Sequence, residues 1–540
     1  MNLTLLKRIF INLRSFEIYI LEENEVMNQR AFFLVFFSII VRLNCFGQCP
    51  PCTNQTPNFT IPLPEDSLPY RVTVEQADFS LPVGLQSFSH AVYKGEWLFI
   101  GGRTNGLHNV DNTDPTPAAN SFPASQQNTV VYVVNPQKKT SYSRSLSDPT
   151  SKLTQAQIDI LSVTNALFYQ TLNKDTLYIV GGYGIDTASQ TMETKPALTA
   201  IDVPELIKWV KKSSKSKSAS KCIRFAFNPV LQLTGGMMMQ LNEHEPFLLA
   251  FGQNFAGFYV QTSEGSYSQQ VRSIQIIDNG RDLYVQPYHL PAPLATYRRR
   301  DLNVVPIVKK KGNTLAMAYL ALSGVFTLGG GSTPGAWTVP IEIEPNGSSH
   351  MLDPANPNTL AQAMNNYTCA NVGLYSQKKN SMYTLLFGGI SAAIFSDGDC
   401  ENSCIALIPN AGTTFTTCCN LPFVNDISTI EIDKNGKFSQ YLMSSKFPTI
   451  SVPNPGALFC SDDPFPPDSP RIYYFGANAA FIPNEKIETY PNQVIQFDEL
   501  GNKPVFIGYI VGGIASTILD TNCDSDTIAS PYIFKVTISP

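Results

Sequence analysis

Six times along this chain an apolar run of strand-forming residues stops at glycine: Trp97–Gly102, Leu177–Gly182, Leu248–Gly252, Tyr319–Gly324, Leu385–Gly389 and Ile472–Gly476. The first glycines of these runs, Gly101, Gly181, Gly252, Gly324, Gly388 and Gly476, are 80, 71, 72, 64 and 88 residues apart. One unit is therefore being reused with loops of varying length, which is the pattern of a radial β array. It constrains architecture well and activity poorly. Charged residues make up only 15% of the chain and aromatics 11%, with 34 glycines and 39 prolines, a balance that favours many strands joined by turns over long helices.

Several of the glycine-ended runs follow another strand across a tight polar turn, as with Ser89–Tyr93 before Lys94–Glu96, Thr164–Tyr169 before Asn173–Asp175, and Asn371–Tyr375 before Lys378–Asn380. These read as hairpins. A third strand comes next, in Asn128–Val134, Val271–Ile277, Trp337–Ile343 and Ile427–Ile432. The turns Asp278–Arg281, Glu344–Gly347 and Asp433–Gly436 then carry the Asn-Gly chemistry that a two-stranded reversal needs before a fourth strand. Four antiparallel strands per unit make one propeller blade.

The chain here resembles the kelch family of β-propellers, whose mark is an apolar strand ending in paired glycines, carried by Gly101-Gly102, Gly181-Gly182 and Gly388-Gly389. The tyrosine and tryptophan that kelch repeats carry after the glycines are missing, since the chain holds only Trp97, Trp209 and Trp337. The resemblance covers about residues 70–540 and implies an all-β, kelch-like propeller of four-stranded antiparallel blades. Six blades are expected, the last built from Phe475–Asn478 and Gln493–Asp498. Seven is the alternative, with Gly508–Gly513 and Pro531–Thr537 completed by the N-terminal strand near Val72–Phe79. Strands given by both termini to one blade would close the ring and remove its edges.

Met27–Arg30 is a short positive head before the apolar stretch Ala31–Val41, which is too short to span a bilayer and reads as a signal-peptide core. Residues 1–47 are thus expected to be an N-terminal extension and signal peptide, and 48–69 a linker containing proline and cysteine. The propeller fills 70–540. The protein is expected to be secreted, periplasmic or at the cell surface, without stable membrane insertion after cleavage. Losing Cys45 leaves ten of the eleven cysteines, an even number suited to disulfides. Cys49 with Cys52, and the group Cys400, Cys404, Cys418 and Cys419, are read as staples. The sequons at Asn54, Asn58, Asn346 and Asn366 matter only in a eukaryotic secretory route.

A net charge of −5 and a pI near 5.7 give no basic footprint, so nucleic acid is not an expected partner. The lysine-rich stretch Lys208–Lys221 reads as a solvated loop. The long connections lie between second and third strands, at 103–128, 183–196, 253–270, 390–426 and 477–492, and in a propeller they emerge at the end that carries the links between blades. Long loops on one face of a rigid scaffold are where binding usually resides. The candidate ligand-binding residues are Arg103, Asn105, Tyr183, Gln253, Asn254, Asn366, His90, and the run Arg298, Arg299, Arg300, Asp301. Arginine's planar fork matches carboxylate and phosphate oxygens, so the run with Arg103 suits an anionic ligand. The competing arrangement pairs one arginine with Asp301 inside the channel and leaves the others in solvent.

The five histidines are scattered without ligand spacing, so neither a metal nor another cofactor is expected. His90 on an inner strand and His108 in a long loop are the candidate acid and base. These residues point to a binding module for a glycan or protein partner, an anionic one included. The kelch resemblance also permits a carbohydrate-modifying enzyme of epimerase or mutarotase type.

Overall fold

The computed structural model describes residues 60–108, 121–259, 263–327, 335–391, 393–394, 404–407, 414–417, 422–452, 471–519, 521 and 526–540. The signal segment, Cys49, Cys52, the sequons at Asn54 and Asn58, and the side chains of the loop cysteines from Cys400 to Cys419 lie outside the described residues.

The protein is all-β with few helices and many four-stranded antiparallel sheets, a pattern compatible with a propeller. The first sheet is Ser89–Tyr93, Glu96–Ile100, Val130–Asn135 and Thr140–Ser145. The second is Leu167–Gln170, Thr176–Val180, Ala197–Asp202 and Ile223–Phe227; the third is Met237–Met239, Phe247–Ala250, Val271–Asp278 and Leu283–His289. The fourth joins Val304–Lys311, Thr314–Ala321, Ile341–Ile343 and Ser349–Met351. Ala370–Ser376, Ser381–Ile390, Phe423–Ile432 and Phe438–Lys446 form the core of the fifth, with Leu63–Pro64 and Ile495–Gln496 added in parallel at its two edges.

The sixth sheet corrects the sequence reading. Its strands are Ala480–Pro483, Val505–Val511, Ile533–Ser539 and, from the other end of the chain, Arg71–Gln76. The glycine pair that ends its second strand is Gly512-Gly513. Tyr474–Ala477, taken from sequence as that strand, pairs instead with Ile514–Ser516, and Gln493–Asp498 contributes only the edge addition and a turn of 3-10 helix. The segments reserved for a seventh unit form this four-stranded sheet.

The glycines end their strands for a physical reason. Gly181 sits at φ +65°, and a Cβ there would lie 2.0 Å from the Leu233 carbonyl oxygen, so only glycine lets the next segment approach. The N–H groups beyond these turns staple a sheet to the link entering the next: Gly102 to Val163 O at 2.8 Å, Gly182 to Leu233 O at 2.8 Å, and Gly252 to Arg299 O at 3.0 Å. Gly324 N bonds Asn366 O at 3.1 Å, and Gly513 N bonds Leu85 O at 2.9 Å, which leads from the sixth sheet back to the first.

Apolar layers fill the spaces between consecutive sheets. Leu98, Ile100, Val131 and Val133 of the first pack with Leu177, Ile179 and Ile201 of the second, and Trp97, Phe99 and Val134 pack with Ile482, Val511 and Ile533 of the sixth. Each large side chain buried this way contributes about 1.5–3 kcal/mol. The helix Val203–Val210, capped by the Asp202 carboxylate, seats Trp209 in the layer between the first two sheets. The lysine-rich stretch therefore begins on a helix, with Lys211 paired to Glu96 at 2.7 Å, and is not simply a solvated loop. Cys222 and Cys369 are buried free thiols, so the even cysteine count does not translate into complete pairing. Among the described residues no helix is long and apolar enough to cross a membrane.

Candidate functional site

A backbone necklace runs through the starts of all the inner strands. Asn165 N bonds Ser87 O at 3.0 Å, Gly235 N bonds Asn165 O at 3.0 Å, and Asp301 N bonds Gly235 O at 2.7 Å. Thr368 N then bonds Asp301 O at 3.1 Å, and Asn478 N bonds Thr368 O at 2.9 Å. Ser87, Asn165, Asp301 and Asn478 are all held at positive φ, near 50°, to make these bonds. Polar side chains from different sheets are thereby set next to one another.

Charged groups gather beside this necklace, at Asp301 and Arg300. The Asp301 carboxylate accepts from Asn165 Nδ2 at 2.5 Å and pairs with Arg300 Nη1 at 2.9 Å. Arg300 Nε donates to the Tyr267 hydroxyl at 3.0 Å, and its guanidinium lies 5.0 Å from the Phe326 ring centre. Burial alone would lower the Arg300 pKa, but Asp301 and the hydroxyls of Tyr259, Tyr267 and Tyr367 outweigh it and hold the group charged. Tyr367 is pushed above its usual value by burial and then by Asp301.

Next to this lies Arg103, 1% exposed, which donates Nε to Asn105 Oδ1 at 2.9 Å and Nη2 to the Pro123 carbonyl at 3.0 Å. Its guanidinium is 5.1 Å from the Phe122 ring centre. The His108 ring packs on the same Phe122 at 4.7 Å and on Tyr259 at 4.9 Å. Arg103 Nη1 and His108 Nδ1 are buried with no hydrogen-bond partner among the described residues. Burial, then the fields of Arg300 and Arg103, push His108 down to about 3, and burial lowers Arg103 to about 10, so at neutral pH the imidazole is uncharged and the guanidinium cationic.

The arginine run splits into separate duties. Arg299, fully buried, donates Nη1 to the carbonyls of Leu322 and Ser323 at 2.9 and 3.1 Å and Nη2 to that of Val339 at 2.8 Å, with its guanidinium 5.0 Å from the Trp337 ring centre. Arg298 pairs with Glu264, donates to Phe326 O at 2.6 Å and stacks 4.0 Å from the Tyr267 ring centre. One arginine does pair with Asp301, as the competing sequence arrangement required. The other two are not in solvent, because main-chain carbonyls and aromatic faces take them up.

Other candidates are part of the scaffold. Asn366, fully buried, donates Nδ2 to Gln362 O at 3.1 Å, and its carbonyl accepts from Ser323 Oγ at 2.7 Å. Gln253 and Asn254 form a short strand against Ser266 and Tyr267, and Gln253 is buried. The Tyr183 hydroxyl donates to Gly257 O at 2.7 Å within an aromatic group that includes Phe122, Phe255 and Tyr259. His90 faces inward among Phe168, Phe88 and Phe99, a different aromatic setting from that of His108, so the two histidines share no ring neighbour. Sequence reasoning left out Phe122, Tyr259 and Tyr267, whose one signal was their place in the long loops. Among the described residues no group of three or more histidine, cysteine, aspartate or glutamate side chains is placed to hold a metal ion.

No family model matches the chain. No curated protein matches it either. Among solved structures it is similar to YjhT at 13% identity over 85% of this chain and 96% of that one, with a TM-score of 0.40. It is also similar to a xylan β-1,4-xylosidase from Bacillus Halodurans C-125, at 10% identity over 68% and 56% of the two chains and a TM-score of 0.28. The polysaccharide lyase Uly1 follows at 8% identity, 85% and 90% coverage and a TM-score of 0.27. At these values the likenesses assign no activity.

Proposed function

We propose that this protein is an exported six-bladed propeller that binds an acidic glycan on its loop-bearing end. The blade count is supported by the staples that join each of the first four sheets to the link entering its successor and by the return from Gly513 to Leu85. The observation that carries the binding reading is the pair of unpartnered buried atoms, Arg103 Nη1 and His108 Nδ1, whose side chains both pack near the ring of Phe122. A buried donor left unmade costs roughly 1–3 kcal/mol, which a ligand oxygen recovers. Arg103 offers its free N–H to a carboxylate or sulfate, neutral His108 exchanges a hydrogen bond with a neighbouring hydroxyl, and the rings of Phe122 and Tyr259 receive a sugar face.

The alternative of a carbohydrate-modifying enzyme needs a free acid–base pair at one place. Asp301 is engaged by Arg300 and Asn165, and His90 and His108 sit in separate surroundings, so binding is the better supported reading. A glycan array on the secreted form, comparing carboxylated, sulfated and neutral glycans, tests it. Preferential capture of acidic glycans, weakened about tenfold or more in Arg103→Ala, is expected. Capture that ignores ligand charge, or that survives Arg103→Ala unchanged, would overturn the assignment.

A further inference from the structure

A cavity of about 220 Å³ is bounded by residues of the necklace and by the first strands of all the sheets or the residues just before them. A single water needs about 10–15 Å³ by a comparable measure, so the space is far larger than one water site. No aspartate, glutamate, lysine or arginine lines it. The rings of Phe88, Phe168 and Phe481 form apolar wall, and His90, Asn371 and Asn478 supply polar groups. Two of these are unsatisfied: His90 Nδ1 and Asn478 Oδ1 are buried with no hydrogen-bond partner among the described residues. His90 stands on the first strand of the first sheet and Asn478 just before that of the sixth, and these two sheets are neighbours.

Each of these features removes a class of occupant. An ion would be desolvated here without a counter-charge. A hydrocarbon would leave the imidazole nitrogen and the amide oxygen unpaired. A hydroxyl both donates and accepts, so it satisfies the amide oxygen and either tautomer of the imidazole, while an adjacent C–H face packs on phenylalanine. We propose that this axial cavity is a second binding site, separate from the Arg103 cluster, for an uncharged polyhydroxylated ligand of monosaccharide size. The proposal does not rest on the acidic-glycan reading.

Ligand-observed NMR and calorimetry on the secreted form, with a panel of neutral hexoses, pentoses and polyols and the corresponding uronates, test it. At least one neutral member is expected to bind with a millimolar or tighter constant, and its uronate counterpart more weakly. Asn478→Gly, which suits the positive φ at that position, and His90→Phe should each weaken binding about tenfold. Ala480→Leu, which fills the cavity from its lining, should abolish it, and Arg103→Ala should leave it unchanged. A folded protein, judged by an unaltered melting transition, that binds no neutral member at tens of millimolar holds only water there and overturns the proposal. So does binding that persists in Ala480→Leu or in both polar variants. Loss of acidic-glycan capture with retained neutral-sugar binding would sink only the reading of the loop-bearing end.

Discussion

The Arg103 cluster and the axial cavity each hold a histidine whose Nδ1 has no hydrogen-bond partner among the described residues, yet their surroundings differ in kind. Around His108 two guanidinium groups are held near aromatic rings and one carboxylate. Around His90 there are rings, amides and no charge. Charge survives around Arg103 and Arg300 because tyrosine hydroxyls, carbonyls and a carboxylate join the ring faces in offsetting lost solvation, whereas the cavity around His90 has ring faces without a tyrosine hydroxyl or a counter-charge. Two imidazoles held neutral in one molecule thus have different neighbours, guanidinium groups and rings in one case, rings and amides in the other.

The largest expected effect separates structural from ligand-facing arginines. Arg299→Ala strips the donor from three main-chain carbonyls and should cost about 3–5 kcal/mol of stability or prevent folding. Arg103→Ala, losing two bonds, should cost only about 1–2 kcal/mol. Equal melting-temperature losses would erase the distinction.

Acid comes next. His108 and His90 are held down to about 3 and about 4 from an ordinary 6.5, so the unfolded chain binds protons first as pH falls. Stability is therefore level above pH 6.5 and declines below it, by up to about 1.4 kcal/mol per pH unit for each histidine. Denaturant melts between neutral and acid pH should show a shallower slope in His90→Phe and in His108→Phe than in the parent. A parallel slope in either variant would mean that its histidine titrates normally.

The smallest effect concerns the thiols. Burial pushes Cys369 and Cys222 up to about 12, so neither should react with an aromatic disulfide reagent at neutral pH until the protein unfolds. Rapid labelling of Cys369, which lines the axial cavity, would show that the cavity admits solutes larger than a sugar.

Much of the framework was legible because glycine at a strand end and Asn-Gly in a turn are local necessities. Gly181 and Gly280 adopt positive φ whatever surrounds them. The last unit was misplaced for the same reason: Tyr473-Tyr474-Phe475-Gly476 looks like Gly-ended strand, and nothing local says that Gly512-Gly513 is the pair that meets Leu85. The site was less legible. Arg298, Arg299 and Arg300 are adjacent and chemically identical in the sequence, yet one binds carbonyls, one a glutamate and one Asp301. The chain alone determined an all-β architecture with reversals at known places, because backbone conformational preference acts within a few residues. Only the tertiary structure decided which polar groups were left without partners, because hydrogen-bond satisfaction depends on atoms brought together from sheets far apart along the chain.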